Sequence, residues 1–174
     1  MCIKISRQKA VDLLTRAKIR SLYKTEREEI LLDWWVLDED DLEFKQLGSS
    51  LQQELLNSDE PKDIMDNKYN GLIRLALAQK YIGVKNSYIE KVLEDLSIGI
   101  YRVKGEIESL YSCPCCEFKT LKNRDGYEIC PVCKWEDTGD DLSAYSGPNH
   151  MTLLEGKKKI NKDLLSHEKS KWFK

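Results

Sequence analysis

Two short turns rich in cysteine carry the clearest chemistry in this sequence. Cys113-Pro114-Cys115-Cys116 and Cys130-Pro131-Val132-Cys133 each place two residues between a pair of cysteines, and thirteen residues separate the turns. Such spacing lets a tight turn aim both sulfurs at one point, and a tetrahedral zinc ion takes four ligands of this kind at about 2.0–2.3 Å. The pattern therefore predicts one zinc ion held between the two turns, as in a zinc ribbon.

The repeat between the two turns indicates which cysteines bind the metal. Superposing the turns places Cys115 opposite Val132, so Cys115 is left outside the predicted ligand set. That set is Cys113, Cys116, Cys130 and Cys133. Two alternatives stay open: a site in which Cys115 or His150 replaces one ligand, and a redox dithiol. Four thiolates close the coordination sphere, so the predicted zinc is structural and contributes folding energy rather than catalysis.

Strand and turn patterns predict the elements that position these cysteines. Residues 118–121 and 127–129 are predicted strands, and residues 123–126, which include Asp-Gly, are the turn that would join them into a hairpin. Such a hairpin would return the chain so that the second cysteine turn faces the first. Residues 98–103 alternate in polarity and indicate a further strand, with a helix that continues up to Ser112 as the alternative. Residues 140–148 are predicted to form a loop.

The first half of the chain is predicted to be helical. Ser6 precedes apolar residues at helical spacing and is a candidate helix cap, and residues 72–79 continue the helical pattern further on. Four segments have the form of a capping box, in which Ser or Thr is followed three residues later by Glu or Gln. They are residues 25–28, 50–53, 87–90 and 152–155. The last of these predicts a helix that extends to about residue 165.

Other candidate catalytic groups are sparse. Residues 136–137 and 140–141 are paired acids, but neighbouring side chains point apart, so a solvated loop is the expectation there. His150 and His167 are the only histidines, and no Ser–His–Asp order, glycine-rich phosphate loop or His-Glu-x-x-His motif is present. We therefore expect that this protein is not an enzyme.

Charge is distributed very unevenly. The whole chain has 28 Lys+Arg against 30 Asp+Glu, a net charge of −2, but residues 26–66 alone hold fourteen acids against three basic residues, a balance of −11. A concentrated negative field speeds and orients association with a basic partner. The alternative is a plain solvated surface. The candidate partner-contact acids are Asp38, Glu39, Asp40, Asp41 and Glu43.

Two aromatic residues adjoin this acidic segment and extend the candidate contact surface. Trp34 and Trp35 are neighbours, and on a helix they point about 100° apart. We therefore expect one of them to be buried and the other to lie at an edge or interface.

The basic segments favour a different class of function. Residues 1–25 carry seven Lys or Arg against one acid, and residues 157–159 are three consecutive lysines. These features would suit a zinc-ribbon module that binds nucleic acid or has a regulatory role. However, a dedicated nucleic-acid binder normally has a clear basic excess, which a net charge of −2 does not provide. Nucleic acid is therefore the less favoured partner.

The cysteine-rich region resembles a known family. Cys113-Pro114-Cys115-Cys116, the run from Tyr127 through Cys130-Pro131-Val132-Cys133 to Asp137, and Ser146-Gly147-Pro148-Asn149 are together similar to the bacterial cysteine-rich CPCC domain family, over about residues 110–160. One departure is that Glu117 and Lys134 follow the turns, where zinc knuckles commonly have glycine. The helical first half is similar to the N-terminal extension of longer members from toxin–immunity loci. The resemblance implies an immunity protein that binds and neutralises a cognate toxin.

These observations predict an α+β protein with two parts. A helical region, residues 1–108, is acidic at 26–66 and packs on a small four-cysteine zinc ribbon with a following helix, residues 109–174. No apolar run approaches the roughly 20 residues that a bilayer requires, and residues 1–6 show no apolar signal region. The sequence therefore predicts a cytoplasmic protein without a membrane segment. If the partner is a toxin, the acidic segment implies that the toxin has a basic surface.

Overall fold

The computed structural model describes residues 3–139, 141–160 and 162–174. Within these ranges the protein is α+β, as predicted, with helices that dominate the first half and short strands in the second. The helices are α1 (Arg7–Ser21), α2 (Lys24–Trp34), α3 (Ser49–Asn57), α4 (Asn70–Gln79), α5 (Asn86–Asp95), α6 (Leu153–Lys159) and α7 (Lys162–Glu168). The strands are β1 (Ile3–Ser6), β2 (Tyr101–Lys104), β3 (Tyr111–Ser112), β4 (Lys119–Leu121), β5 (Tyr145–Ser146) and β6 (Met151–Thr152).

The chain divides into two compact units. The N-terminal unit takes in the described residues up to Tyr81 together with Glu90–Val103, and the C-terminal unit takes in Ile82–Ile89 and the described residues from Lys104 to Lys174. None of the helices in the described part of the chain combines the length and the apolar character that crossing a membrane requires.

The N-terminal unit is organised around α4, which packs against both α1 and α2. Its apolar residues recur at helical spacing, and Leu72, Ile73 and Leu77 are buried on this helix because one face meets both neighbours. The buried cluster to which these three residues belong continues into α2, α3 and the intervening chain. Its other members are Leu31, Trp35, Phe44, Leu47, Leu51, Leu55 and Tyr69. Strands β1 and β2 pair as a two-stranded sheet in the same unit, which confirms a strand in the later part of residues 98–103.

A buried arginine fixes the end of the acidic segment. Arg27 on α2 is buried, and its guanidinium donates to the carbonyls of Ile64 and Asp66 and, at 2.8 Å, to Oδ1 of Asn70. Burial lowers the pKa of Arg27, and the nearby carboxylates of Asp63 and Asp66 oppose that change. These bonds tie residues 64–70 to α2, so this part of the acidic segment is held against the helix rather than left as an open loop.

The structure confirms some of the predicted helix caps and contradicts others. Ser6 is confirmed as the cap of α1, since its hydroxyl accepts a hydrogen bond from the Lys9 amide at 3.2 Å. The box at 25–28 is wrong, because α2 begins at Lys24 and Glu26 instead accepts from the Tyr23 amide at 2.8 Å. The box at 50–53 is also wrong, since the cap of α3 is Gly48, two residues before Ser50. At 87–90 the first residue already lies inside α5.

The strands around the cysteines pair differently from the prediction. The hairpin between 118–121 and 127–129 is wrong: β4 pairs antiparallel with β3, which precedes the first cysteine turn, and Ile129 forms an isolated bridge with Glu136 beyond the second turn. Each cysteine turn is thus enclosed by its own pair of chain segments.

The chain after the second turn contains more structure than predicted. Strand β5 lies within residues 140–148, which were expected to form a loop, and it pairs with β6. Asp140 lies outside the described residues. The cap at Thr152 is confirmed by its reciprocal bonds with Glu155. Helix α6 ends at Lys159, and α7 follows from Lys162, instead of one helix that extends to about residue 165.

Candidate metal centre

The two cysteine turns fold by the same backbone bonds. In the first turn the Cys113 amide donates to the Phe118 carbonyl at 2.8 Å, and in the second the Cys130 amide donates to the Trp135 carbonyl at 2.8 Å. The bonds that close the turns also correspond. The Glu117 amide donates to the Cys113 carbonyl at 2.9 Å, and the Lys134 amide donates to the Cys130 carbonyl at 2.9 Å. The repeat in sequence is therefore a repeat in structure, with an offset of seventeen residues throughout.

The residue after each turn adopts the left-handed conformation that favours glycine. Glu117 has φ of 69° and Lys134 has φ of 64°. A side chain in this region costs of the order of 1 kcal/mol or more, so the surrounding bonds must hold it there. Both residues are the donors of the closing turn bonds. The zinc-knuckle geometry is therefore kept although neither position has glycine.

The four predicted ligands converge. The sulfur atoms of Cys113, Cys116, Cys130 and Cys133 all lie within 4.8 Å of one another. Two Sγ–Sγ distances, Cys113 to Cys133 and Cys116 to Cys130, are 3.6 Å. A tetrahedral zinc with Zn–S bonds of about 2.3 Å separates its sulfurs by roughly 3.8 Å. The donor set and its spacing therefore fit a tetrahedral metal ion of the zinc type.

Hydrogen bonds and burial shift the pKa values of the four clustered thiols in different directions. Hydrogen bonds from the other three thiols lower the pKa of Cys130, whereas hydrogen bonds with its neighbours, together with burial, raise the pKa of Cys116. Hydrogen bonding with Cys113 tends to lower the pKa of Cys133, but its contact with Cys115 and burial prevail, and the pKa rises to about 12. The pKa of Cys113 is also raised. Metal binding must therefore expel protons from this cluster.

Comparison with known proteins finds one family whose model matches the cysteine-rich region. Residues 111–167, which we call the CPCC segment, match the family described as Cysteine-rich CPCC. The match covers about a third of the chain and includes both turns, which confirms the resemblance predicted for this region. The chain has no significant match among the curated proteins or among the solved structures.

The alternative ligands of the CPCC segment lie apart from the cluster or at its edge. His150 is exposed and does not belong to the metal-ligating group found among the described residues. Cys115 is 5% exposed, and its amide donates to Sγ of Cys113 at 3.4 Å. Contact with Cys133 lowers the pKa of Cys115, so its thiol lies beside the cluster. Gly156 of α6 lies close to this thiol. The second histidine, His167, is exposed.

A buried carboxylate that the sequence did not reveal supports the second turn. Residues 136–137 were expected in a solvated loop, but Asp137 is 1% exposed, so that prediction is wrong for this residue. Its Oδ2 accepts from Nε of Arg124 at 2.7 Å and from the Asp125 amide at 3.1 Å. The ion pair therefore fixes the connection between the two cysteine turns.

Asn149, in the Gly-Pro-Asn motif, ties the second turn to the next hairpin. Its Oδ1 accepts from the Glu136 amide at 2.9 Å, and its Nδ2 donates to the Glu136 carbonyl at 2.8 Å. Nδ2 also lies 2.8 Å from the hydroxyl of Ser146 on β5. A side-chain amide can satisfy a backbone donor and acceptor together, which explains how this motif holds the second turn against β5.

Of the five acids predicted to contact a partner, some are exposed and others are half-buried and accept hydrogen bonds. Asp38, Glu39 and Asp40 are exposed. Asp41 is half-buried and accepts from the Asp38 amide at 3.0 Å, and half-buried Glu43 accepts from Nε2 of Gln79 at 3.0 Å. The acidic turn is therefore ordered by its own carboxylates, and three of its five acids face solvent.

The two tryptophans also separate. Trp35 is 6% exposed, packs edge-on against Tyr69 with ring centroids 5.4 Å apart, and donates through its indole to the Ser58 carbonyl at 2.7 Å. A residue in the core cannot contact a partner of the folded protein, so Trp35 is removed from the candidate contact surface. Trp34 is half-buried at the edge of the same cluster.

Proposed function

We propose that this protein is a non-catalytic immunity protein that binds and neutralises a cognate protein toxin, and that its C-terminal segment folds around one structural zinc ion. The ligands would be Cys113, Cys116, Cys130 and Cys133. The observation that carries the zinc assignment is the convergence of these four sulfurs within 4.8 Å. Four protein thiolates leave no coordination position for water or substrate, which supports a scaffold role.

The zinc-bound centre would supply folding energy to a small unit. The described strands of the CPCC segment are only two or three residues long, so they bury little apolar surface. Segments of this kind depend on metals or disulfides for stability. In this proposal the cysteines hold the two turns together, Asp137 holds the chain that connects them, and Asn149 ties the second turn to the next hairpin.

The exposed acids support a basic protein partner. Asp38, Glu39 and Asp40 lie together in a turn and face solvent, within a segment of net charge −11. Such a field raises the rate of association with a positively charged surface, and salt screens it. Toxins that act on nucleic acid have basic clefts, so an acidic inhibitor could occupy the position of the substrate backbone.

The resemblance of the first half to longer CPCC proteins from bacterial toxin–immunity loci supports the toxin as the class of partner. In this proposal the N-terminal unit recognises the toxin, and the zinc-bound segment acts as a scaffold. The protein carries out no chemical step on its partner.

Association kinetics with the product of the adjacent gene test the proposal. Reversing the charges in Glu39→Lys/Asp40→Lys should slow association about tenfold at low salt, because the steering field is weakened. Both side chains are exposed, so folding should change little. The matched control is Glu94→Lys/Asp95→Lys, which makes the same change of charge at exposed positions on α5.

Three outcomes contradict the proposal. No complex with the gene product would remove the immunity function. Equal slowing in the test and control variants would show that overall charge, rather than the acidic turn, governs association. Salt-dependent binding of the wild-type protein to DNA or RNA would favour the nucleic-acid-binding alternative, with the exposed lysines at 157–159 as the first candidates.

A further inference from the structure

Thr120 lies where the two halves of the cysteine cluster meet. It stands on β4, in the first hairpin, and is buried, yet its Oγ1 is 3.2 Å from Sγ of Cys130 in the second turn. The Phe118 carbonyl is 3.4 Å from the same hydroxyl, beyond the usual range of about 2.5–3.0 Å for such a bond. The hydroxyl is therefore directed mainly at the sulfur of Cys130.

The protonation state of the sulfur decides which atom donates. Between a hydroxyl and a thiol either atom can donate, but a thiolate that binds a metal has no proton left to give. With the metal in place the Thr120 hydroxyl must donate to Cys130, and hydrogen bonds to charged acceptors are the stronger kind.

We propose that Thr120 is a positioning residue of the metal centre. Its hydroxyl donates to the Cys130 thiolate and holds that sulfur where the second turn can share a metal ion with the first. The inference goes beyond the partner-binding function and rests on the metal site of that proposal.

The repeat between the turns shows that this contact is specific. With the offset of seventeen residues, the position equivalent to Thr120 is Asp137, whose carboxylate is engaged with Arg124 instead of a sulfur. In the first turn Cys113 receives the amide of Cys115, a bond that stays within one turn. The Thr120 bond instead crosses from the first hairpin to a ligand of the second.

Because the hydroxyl of Thr120 contacts a predicted metal ligand, its removal should affect how tightly the metal is held. Groups that orient metal ligands through hydrogen bonds typically change metal affinity by about 10–100-fold when they are removed. Cys130 is fully buried, so water cannot easily replace the lost hydroxyl. Loss of this one bond should therefore weaken zinc binding by about tenfold.

Two variants of the full chain separate the hydroxyl from the shape of the side chain. Thr120→Val keeps the shape and removes the hydroxyl, whereas Thr120→Ser keeps the hydroxyl and removes the methyl group. Zinc affinity is measured by competition with a chromogenic chelator, and cobalt(II) is added to metal-free protein to record the thiolate-to-cobalt absorption band. Thr120→Val should bind zinc about tenfold more weakly and shift the cobalt band to longer wavelength, because a sulfur without the hydrogen bond is a better electron donor. Thr120→Ser should match wild type in both measurements.

Each outcome decides one of the two proposals. If wild type binds neither zinc nor cobalt, the metal site itself fails, and the role of Thr120 fails with it. If wild type binds metal and Thr120→Val matches it in affinity and spectrum, the site stands and the role of Thr120 is overturned. Equal losses in both variants also overturn it, because packing would then be the cause. Metal binding lost in Thr120→Val and retained in Thr120→Ser supports it.

Discussion

Removing one cysteine from the cluster and one from beside it gives the sharpest test of the metal centre. We expect Cys130→Ala to lose zinc and Cys115→Ala to retain it. Cys130 is fully buried, and its Sγ lies 3.6 Å from Sγ of Cys116 and 3.2 Å from the Thr120 hydroxyl. Cys115 is also buried and only two residues from a ligand, so the pair is closely matched in surroundings.

The size of the effect follows from the number of ligands. Structural zinc in small domains binds with about 10–16 kcal/mol of apparent free energy at pH 7, or about 2.5–4 kcal/mol for each of four equivalent thiolates. Loss of one ligand should therefore weaken zinc binding by roughly 10²–10³-fold. Cys115→Ala removes a buried sulfur but no ligand, so it should cost only about 1 kcal/mol of stability and no zinc.

Zinc content after dialysis against a moderate chelator is the measurement, with the free energy of unfolding from urea denaturation recorded alongside. Wild type and Cys115→Ala should each hold one zinc ion per chain, and Cys130→Ala should hold close to none. Two results would refute this reasoning: equal zinc loss in both variants, which would make Cys115 a ligand, or full zinc content in Cys130→Ala.

Two further predictions concern the packing and the titration of the same segment. A Cβ at Gly156 would lie 2.7 Å from Cζ3 of Trp135, a buried ring, so Gly156→Ala should overpack at a cost of about 1–3 kcal/mol. Higher helix propensity returns about 1 kcal/mol, so we expect a net loss of about 1 kcal/mol in urea unfolding of the zinc-loaded protein, and a gain would contradict the packing. The raised pKa values of Cys113, Cys116 and Cys133 keep these thiols protonated near neutral pH, and zinc must displace those protons. Apparent zinc affinity should therefore rise with pH, by up to about a thousandfold per unit for three protons, and a flat profile between pH 6 and 8 in chelator competition would disprove this.

Local spacing was sufficient to predict the metal ligands. Two residues between paired cysteines form a turn that needs no distant contact, and the same backbone bonds recur around Cys113 and Cys130. The repeat also identified Cys115 as the position opposite Val132. Helices with a strong apolar period, such as α4, were predictable for the same reason, because one buried face repeats every three or four residues.

Helix starts were less predictable, because a capping motif competes with tertiary contacts. Glu90 has the right spacing to close a box with Ser87, but its carboxylate accepts from the Val103 amide at 2.8 Å and pairs with Arg102. These partners are twelve and thirteen residues further along the chain. The carboxylate of Glu90 therefore bonds to groups that the tertiary structure brings close, and not to the helix start that the local sequence pattern predicted.

Burial of individual side chains was decided by the tertiary structure. Helical geometry requires Trp34 and Trp35 to diverge, but only the positions of Tyr69 and Ser58 select Trp35 for the core. Likewise, the sequence around Asp137 predicts a solvated acid, and only the folded chain places Arg124 beside its carboxylate.

Sequence alone therefore predicted the four clustered cysteines, the α+β class and the main apolar helix, because the cysteine turns and the helices form through contacts within a few residues. The pairing of β3 with β4 and the approach of Thr120 to Cys130 were decided only by the fold. Strands of two or three residues have too short a polarity pattern to specify a pairing partner. The Thr120 hydroxyl and the Cys130 sulfur are ten residues apart in sequence, and they come into contact only when the two turns have come together.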